Sequence, residues 1–97
     1  MTTQENIIST LRSLKPEITE KFGVLTMGVF GSVTRNDFSP EKSDVDIIVE
    51  FSRPIGIEFI DLANYLESQI RRKIDLVSRN GIKKKYLEAI EKNIIYV

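Results

Sequence analysis

Two residue types that carry much of enzyme chemistry are missing from this 97-residue chain, which has no cysteine and no histidine. The missing cysteine excludes disulfides and thiolate metal sites, and the missing histidine excludes every mechanism that relies on imidazole. Long apolar runs are missing too: none approaches the roughly 20 residues that span a bilayer, and the N-terminus lacks the layout of a signal peptide. We therefore expect a cytoplasmic protein without membrane association, whose chemistry rests on carboxylates and hydroxyls.

A net charge is also missing, because fourteen basic residues balance fourteen acidic ones. This balance argues against a general nucleic-acid binder, which relies on a net positive field, so nucleic acid is not expected as a direct ligand. The hydrophobic fraction of 41% and the charged fraction of 29% are typical of a folded globular protein. The length predicts one domain over residues 1–97, with no separate lid or specificity domain.

The hydrophobic periodicity predicts helices that alternate with strands. Apolar residues from Ile7 to Leu14 mark an opening amphipathic helix, with Thr2 and Glu5 as its capping box. Lys15 precedes Pro16, a position that disfavours helical geometry, so we expect the helix to break there and a short second turn to end at Gly23. The later pattern predicts strands over 24–30, 44–49 and 73–78, helices over 56–70 and around Leu87 and Ile90, and a short last strand over 94–97.

The first candidate site residues are Asp44 and Asp46, which are two apart in a predicted strand and therefore emerge on the same face. At about 5 Å and an effective dielectric near 20, their repulsion is on the order of 3 kcal/mol, so a neighbouring cation is expected. Asp75 interrupts another short apolar strand and could reach the same cation. Three carboxylates without histidine suit Mg²⁺ or Mn²⁺ better than zinc. The alternative, a solvated strand end without a metal, stays open.

A second candidate feature is Gly31-Ser32, at the end of the first predicted strand. Backbone N–H groups and a hydroxyl at this position could face an anion such as a triphosphate, and the alternative is that Ser32 only caps a short helix. Arg35 follows three residues later and could reach the same phosphates or pair with Asp37. The chain contains neither a P-loop nor a dinucleotide fingerprint.

These motifs together resemble a known family. Gly31-Ser32, eleven intervening residues and Asp44-Val45-Asp46, followed after a helix by Ile74-Asp75-Leu76, are similar to the signature of the DNA polymerase beta-type nucleotidyltransferase superfamily. The fuller run GSVTRNDFSPEKSDVDIIVEF resembles its minimal nucleotidyltransferase branch, known mostly as antitoxin partners of small helical HEPN ribonucleases. The resemblance runs from about Val24 to the last residue. It departs from the branch at Thr34, where alanine is frequent, and at Asn36, where glycine is common.

The resemblance implies an α+β nucleotidyltransferase (DNA polymerase beta-like) fold, a small mixed sheet with helices packed on it. It implies that Asp44 and Asp46 bind metals that hold the triphosphate of ATP, and that Asp75 holds the second metal and helps to deprotonate the attacking hydroxyl. Gly31 and Ser32 would bind the β- and γ-phosphates. The cofactors would be two Mg²⁺ ions per site, with Mn²⁺ as a substitute.

The function that follows is an adenylyltransferase that moves AMP from ATP to a hydroxyl of a partner protein, with a tyrosine of a HEPN-type toxin as the acceptor. The alternative is a non-catalytic antitoxin that neutralises the same partner by complex formation. Transfer to a small molecule is disfavoured because no second domain is expected to form an acceptor pocket.

Two basic clusters, Arg71-Arg72-Lys73 and Lys83-Lys84-Lys85, stand outside this signature. Such clusters are usually solvated helix ends. The alternative is a docking surface for an acidic partner or for RNA.

Overall fold

The fold comes from a computed structural model that describes residues 3–34 and 44–97. Four helical segments and four strands alternate along these residues. In chain order they are α1 (Thr3–Phe22), β1 (Val24–Phe30), a 3₁₀ turn (Gly31–Thr34), β2 (Val45–Phe51), α2 (Glu58–Ile70), β3 (Ile74–Ser78), α3 (Lys84–Glu91) and β4 (Ile95–Tyr96). The predicted α+β class is confirmed, and the predicted strands and later helices fall within a few residues of their observed bounds.

The four strands form one mixed sheet in the order β3-β2-β1-β4. Strand β1 runs antiparallel to both β2 and β4, whereas β2 and β3 are parallel. A parallel pair needs a crossover connection, and α2 supplies it between β2 and β3. The mixed sheet implied by the family resemblance is therefore confirmed.

The two faces of the sheet differ in character because successive side chains on a strand point to opposite sides. On β2, Val45, Ile47 and Val49 are fully buried and belong to the main hydrophobic core. Helices α1 and α2 complete that core with buried residues such as Leu11 and Leu66. The other face carries Asp46 and Glu50 on β2 and Asp75 on β3, and we name it the carboxylate face.

Helix α1 is continuous through Pro16, so the predicted break there is wrong. Leu11 and Ile18 are both fully buried, one on each side of the proline, and they are seven residues, or two turns, apart on one stripe. Burying each side chain is worth roughly 1.5–3 kcal/mol, which offsets the roughly 3 kcal/mol that an interior proline costs. Pro16 is exposed, so its missing hydrogen bond faces solvent. Thr2 of the predicted capping box lies outside the described residues.

Among the described helices, none combines the length and the apolar composition that crossing a bilayer requires.

Candidate active site

The register between β2 and β3 places two of the predicted site residues side by side. Asp46 on β2 is the direct partner of Asp75 on β3. Neighbouring strands lie about 4.8 Å apart, and paired residues on parallel strands point to the same face. Asp75 is exposed and Asp46 is half-buried. The structure therefore brings together two carboxylates that are 29 positions apart in the sequence.

Asp44 precedes β2 directly and is exposed. The backbone N–H of Val45 donates to the carbonyl of Lys73 at 2.9 Å, so the ladder between β2 and β3 already fixes the chain at this point. Alternation along the strand puts Asp44 on the same side of the sheet as Asp46. All three predicted acids thus lie at one end of the carboxylate face.

Gly31 lies directly against Asp46. Its φ is 70°, a left-handed conformation that favours glycine. The place that a Cβ would take at Gly31 is occupied by the Oδ2 atom of Asp46, so a side chain there would collide with the carboxylate. The family resemblance in the sequence implies that Gly31 binds a phosphate. The structure shows a further reason for it, because glycine leaves room for the aspartate.

Ser32 lies inside the 3₁₀ turn, which begins at Gly31, so it does not precede the turn as an N-cap. The Thr34 hydroxyl donates to the carbonyl of Gly31 at 2.9 Å and closes the turn. Ser32 is half-buried and adjacent to the glycine that contacts Asp46. Arg35 and Asp37, the other candidates in this region, lie outside the described residues.

The carboxylates fit a divalent cation by their chemistry and by their shared face. Their side chains do not yet converge, however: across residues 3–34 and 44–97, no three or more acidic groups are close enough together to hold a metal ion. Asp44 and Asp75 are both exposed, so their side chains can change rotamer at little cost and close around an ion.

The opposite end of the carboxylate face is bridged by Arg79. Its guanidinium donates to the Tyr96 hydroxyl at 2.8 Å and pairs with Glu91 at 2.7 Å. The hydrogen bond with Glu91 is the main cause that raises the pKa of Arg79. Arg79 follows β3, whereas Tyr96 lies on β4 at the other edge, so this bridge ties the C-terminal segment across the sheet. Sequence reasoning missed this bridge, because its three members pair only through tertiary structure.

Comparison with known proteins decides the family. A family model described as a nucleotidyltransferase domain matches residues 11–97. The chain belongs to this nucleotidyltransferase family. This nucleotidyltransferase is 40% identical over 98 residues to the protein adenylyltransferase MntA of Thermococcus cleftensis, covering 100% of this chain and 98% of that protein. The family resemblance found in the sequence is thereby confirmed.

Solved structures support the same assignment. The nucleotidyltransferase superposes on a proposed minimal nucleotidyltransferase with a TM-score of 0.79 and 25% identity, over 95% of this chain and 93% of that one. It also superposes on a complex described as tri-AMPylated Shewanella oneidensis HEPN toxin with MNT antitoxin, with a TM-score of 0.63 and 20% identity, over 97% of this chain and 67% of that one. The second likeness shows the fold alone.

The nucleotidyltransferase also has a cavity of about 550 Å³ far from the aspartates. The cavity lies where β2 and β3 end, and Phe51, Arg53, Phe59, Asn80 and Gly81 are among its lining residues. Phe51 is five residues from Asp46 on β2, which corresponds to about 17 Å along the strand. No pattern in the sequence predicts a site here, because the lining residues come from separate segments and carry no motif.

Proposed function

We propose that this nucleotidyltransferase moves AMP from ATP to a hydroxyl of a partner protein, and that a tyrosine of a HEPN-type toxin is the acceptor. Modification would make the chain the antitoxin of that toxin. The observation that carries the proposal is the pairing of Asp46 with Asp75, with Asp44 at the same end of the sheet. The name of the Thermococcus relative, which aligns over the whole of this chain, supports protein adenylylation. A cytoplasmic location remains a prediction.

Asp44, Asp46 and Asp75 would hold two Mg²⁺ ions, or Mn²⁺ in their place. Such ions neutralise charge on the triphosphate and favour loss of the proton from an attacking hydroxyl. The acceptor oxygen forms a bond to the α-phosphorus while the bond from that phosphorus to the bridging oxygen breaks, and pyrophosphate leaves. Because the chain has no histidine, we assign the role of accepting the hydroxyl proton to a carboxylate of this site.

The order of the strands gives donor and acceptor separate sides of the site. Gly31 follows β1, and Asp75 lies on β3, so the two flank Asp46 from opposite directions. We assign the phosphates of ATP to the side of Gly31 and Ser32. The acceptor hydroxyl then approaches Asp75, which is exposed on the edge strand and can take its proton. An edge strand leaves room for a protein acceptor, which a closed pocket would exclude.

Intact mass spectrometry tests the proposal. A HEPN-type toxin is incubated with the chain, Mg²⁺ and ATP, and we expect a mass gain of one or more AMP units. Asp44→Asn should abolish the gain. Glu20→Gln, which removes an exposed acid of α1 on the other side of the sheet from the aspartates, should leave it unchanged. A tyrosine-to-phenylalanine change at the modified position of the partner checks the acceptor.

Three outcomes have different meanings. Transfer at the wild-type rate by Asp44→Asn would refute the proposed site. A stable complex without any mass gain, under conditions in which the chain binds ATP, would favour the non-catalytic antitoxin. A gain that survives the partner's tyrosine change would keep the enzyme and move the acceptor to another hydroxyl.

A further inference from the structure

We propose that the cavity at the ends of β2 and β3 is a docking site for the partner protein, and that it takes an acidic segment with an apolar or aromatic anchor residue. The inference rests on the proposed function, since it concerns the same partner. It adds that the partner is held at a surface separate from the aspartates that modify it.

The floor of the cavity is aromatic. Phe51 and Phe59 meet edge to face with ring centroids 6.3 Å apart and an interplanar angle of 68°. The volume of about 550 Å³ lies within the range of pockets that enclose small ligands, and the same kind of concave apolar site takes the buried anchor side chain of a partner protein. The aromatic lining therefore favours an apolar or aromatic side chain of the partner as the anchor, and the volume leaves room for the residues next to it.

Exposed isoleucines extend this apolar surface beyond the cavity. Ile57 is 74% exposed and directly precedes α2, two residues after the lining residue Ile55, and Ile60 is 59% exposed and directly follows the lining residue Phe59. Residues three apart on a helix are neighbours on its surface. Large apolar side chains that adjoin a cavity and face solvent together are typical of an interaction site. The anchor would thus be surrounded by further apolar contacts.

The charge around the cavity favours an acidic occupant. Arg53 lines the cavity, and Gly81 on the opposite side leads to the exposed cluster Lys83-Lys84-Lys85. None of these three lysines forms an ion pair or a side-chain hydrogen bond within the described part of the chain. Against these four cations stand Glu58 and Asp61 at the start of α2 and Glu88, one turn after Lys84 on α3. The surplus of positive charge matches a carboxylate-bearing segment.

The docking site and the aspartates face different sides of the sheet. Phe51 and Phe59 belong to or pack against the main core, on the side of α1 and α2. The aspartates lie on the carboxylate face at the other end of β2, about 17 Å away along the strand. Substitutions at one site should therefore leave the other intact. Complex formation and AMP transfer become separable properties.

Biolayer interferometry with the same HEPN-type toxin measures docking. Ile57→Ser/Ile60→Ser and Lys84→Glu/Lys85→Glu should each weaken binding at least tenfold, which corresponds to about 1.4 kcal/mol. All four positions are exposed, so the fold should tolerate the changes. The matched controls are Leu25→Ser, an apolar residue that is 54% exposed, and Arg12→Glu on α1. Both controls should bind like the wild type, and so should Asp44→Asn.

Peptides test the chemistry of the occupant without the partner. Backbone amide spectra of the ¹⁵N-labelled chain are recorded with the peptide Asp-Glu-Phe-Leu-Asp-Glu, with Lys-Lys-Phe-Leu-Lys-Lys, and with a short single-stranded RNA. The acidic peptide alone should shift the amides of Phe59, Asn80 and Gly81. Equal shifts with the basic peptide, shifts with the RNA instead, or no shifts at these amides would overturn the proposal.

The two proposals fail in different ways. Unchanged partner binding by both double variants, or equal weakening by the controls, would refute the docking site while AMP transfer by the wild type still stands. Loss of binding in the double variants without any AMP transfer by the wild type would keep the docking site and refute the adenylyltransferase. Calorimetric titration with ATP checks that the double variants retain an intact nucleotide site.

Discussion

Replacing Gly31 with alanine should lower both the stability of the fold and the rate of AMP transfer. The stability is lost through backbone strain, and the rate is lost through displacement of the Asp46 carboxylate. Gly31 has a φ of 70°, and an alanine in this left-handed conformation costs roughly 1–2 kcal/mol of stability. The new methyl group would also occupy the position of the Asp46 carboxylate, which must move. A displacement of about 1 Å at a reacting group can cost about 100-fold in rate. We therefore expect Gly31→Ala to fold and to transfer AMP about 100-fold more slowly.

Gly23→Ala is the matched control for this prediction. Gly23 has a φ of 68°, nearly the same as Gly31, so the backbone cost should be equal. Its added methyl group would meet the guanidinium of Arg53 at 2.9 Å, the far end of a flexible and exposed side chain that can move aside. Gly23 also ends α1 at the opposite end of β1 from the aspartates. This variant should lose the stability that the strained backbone costs and, with the partner at saturating concentration, keep the wild-type rate of AMP transfer, because the displaced Arg53 lines only the separate cavity.

Urea unfolding gives the stability of both variants, and transfer of radiolabelled AMP to the partner gives their rates. Equal rates for Gly31→Ala and Gly23→Ala would refute the reasoning, because they would mean that the contact between Gly31 and Asp46 has no part in the reaction. A Gly31→Ala chain as stable as the wild type would refute the backbone strain instead.

Two further predictions concern stability. Hydrogen bonds from Lys21 and Tyr65, together with the charge of Lys21, hold the pKa of Glu17 below its usual value of 4.5. Glu17 therefore stabilises the fold above pH 4.5, and this contribution is lost as the pH falls through the lowered pKa. Glu17→Gln should accordingly lower the melting temperature at neutral pH but not in acid. Thermal melts in which the variant and the wild type differ by the same melting temperature at every pH would contradict this. Arg79→Met removes the hydrogen bonds to Tyr96 and Glu91 and should cost about 1 kcal/mol in urea unfolding because both bonds are exposed to solvent, with faster amide exchange in β4. Wild-type exchange at Tyr96 would show that the bridge does not hold the C-terminal segment.

Local patterns were sufficient to predict most elements of the fold. Strand β1 and helix α2 follow directly from the spacing of their apolar residues, and the observed bounds agree closely. The break at Pro16 was wrong because the sequence rule weighs only the local geometry of proline. Helix α1 continues through Pro16 because Leu11 and Ile18, on one apolar stripe of the helix, are both buried in the core. That burial depends on the tertiary structure and cannot be seen in the local sequence.

The sequence predicts which residues form the candidate site better than it predicts how they are arranged in space. The spacing of Asp44 and Asp46 puts them on one face in any strand, but the pairing of Asp46 with Asp75 depends on the crossover through α2 and on the register of β3. No local pattern contains that register. The contact of Gly31 with Asp46 is likewise tertiary, and so is the cavity, whose walls come from β2, α2 and the loop after β3.

The central claim is that the aspartates of the carboxylate face bind nucleotide through divalent metal. Its most direct test is calorimetric titration with a non-hydrolysable ATP analogue, first with Mg²⁺ and then with EDTA. The wild type should bind at least tenfold more tightly with Mg²⁺, and Asp46→Asn should lose that gain. Glu50→Gln, which changes another half-buried acid on the same face of β2, should keep it. If Asp46→Asn shows the same dependence on Mg²⁺ as the wild type, the claim is contradicted.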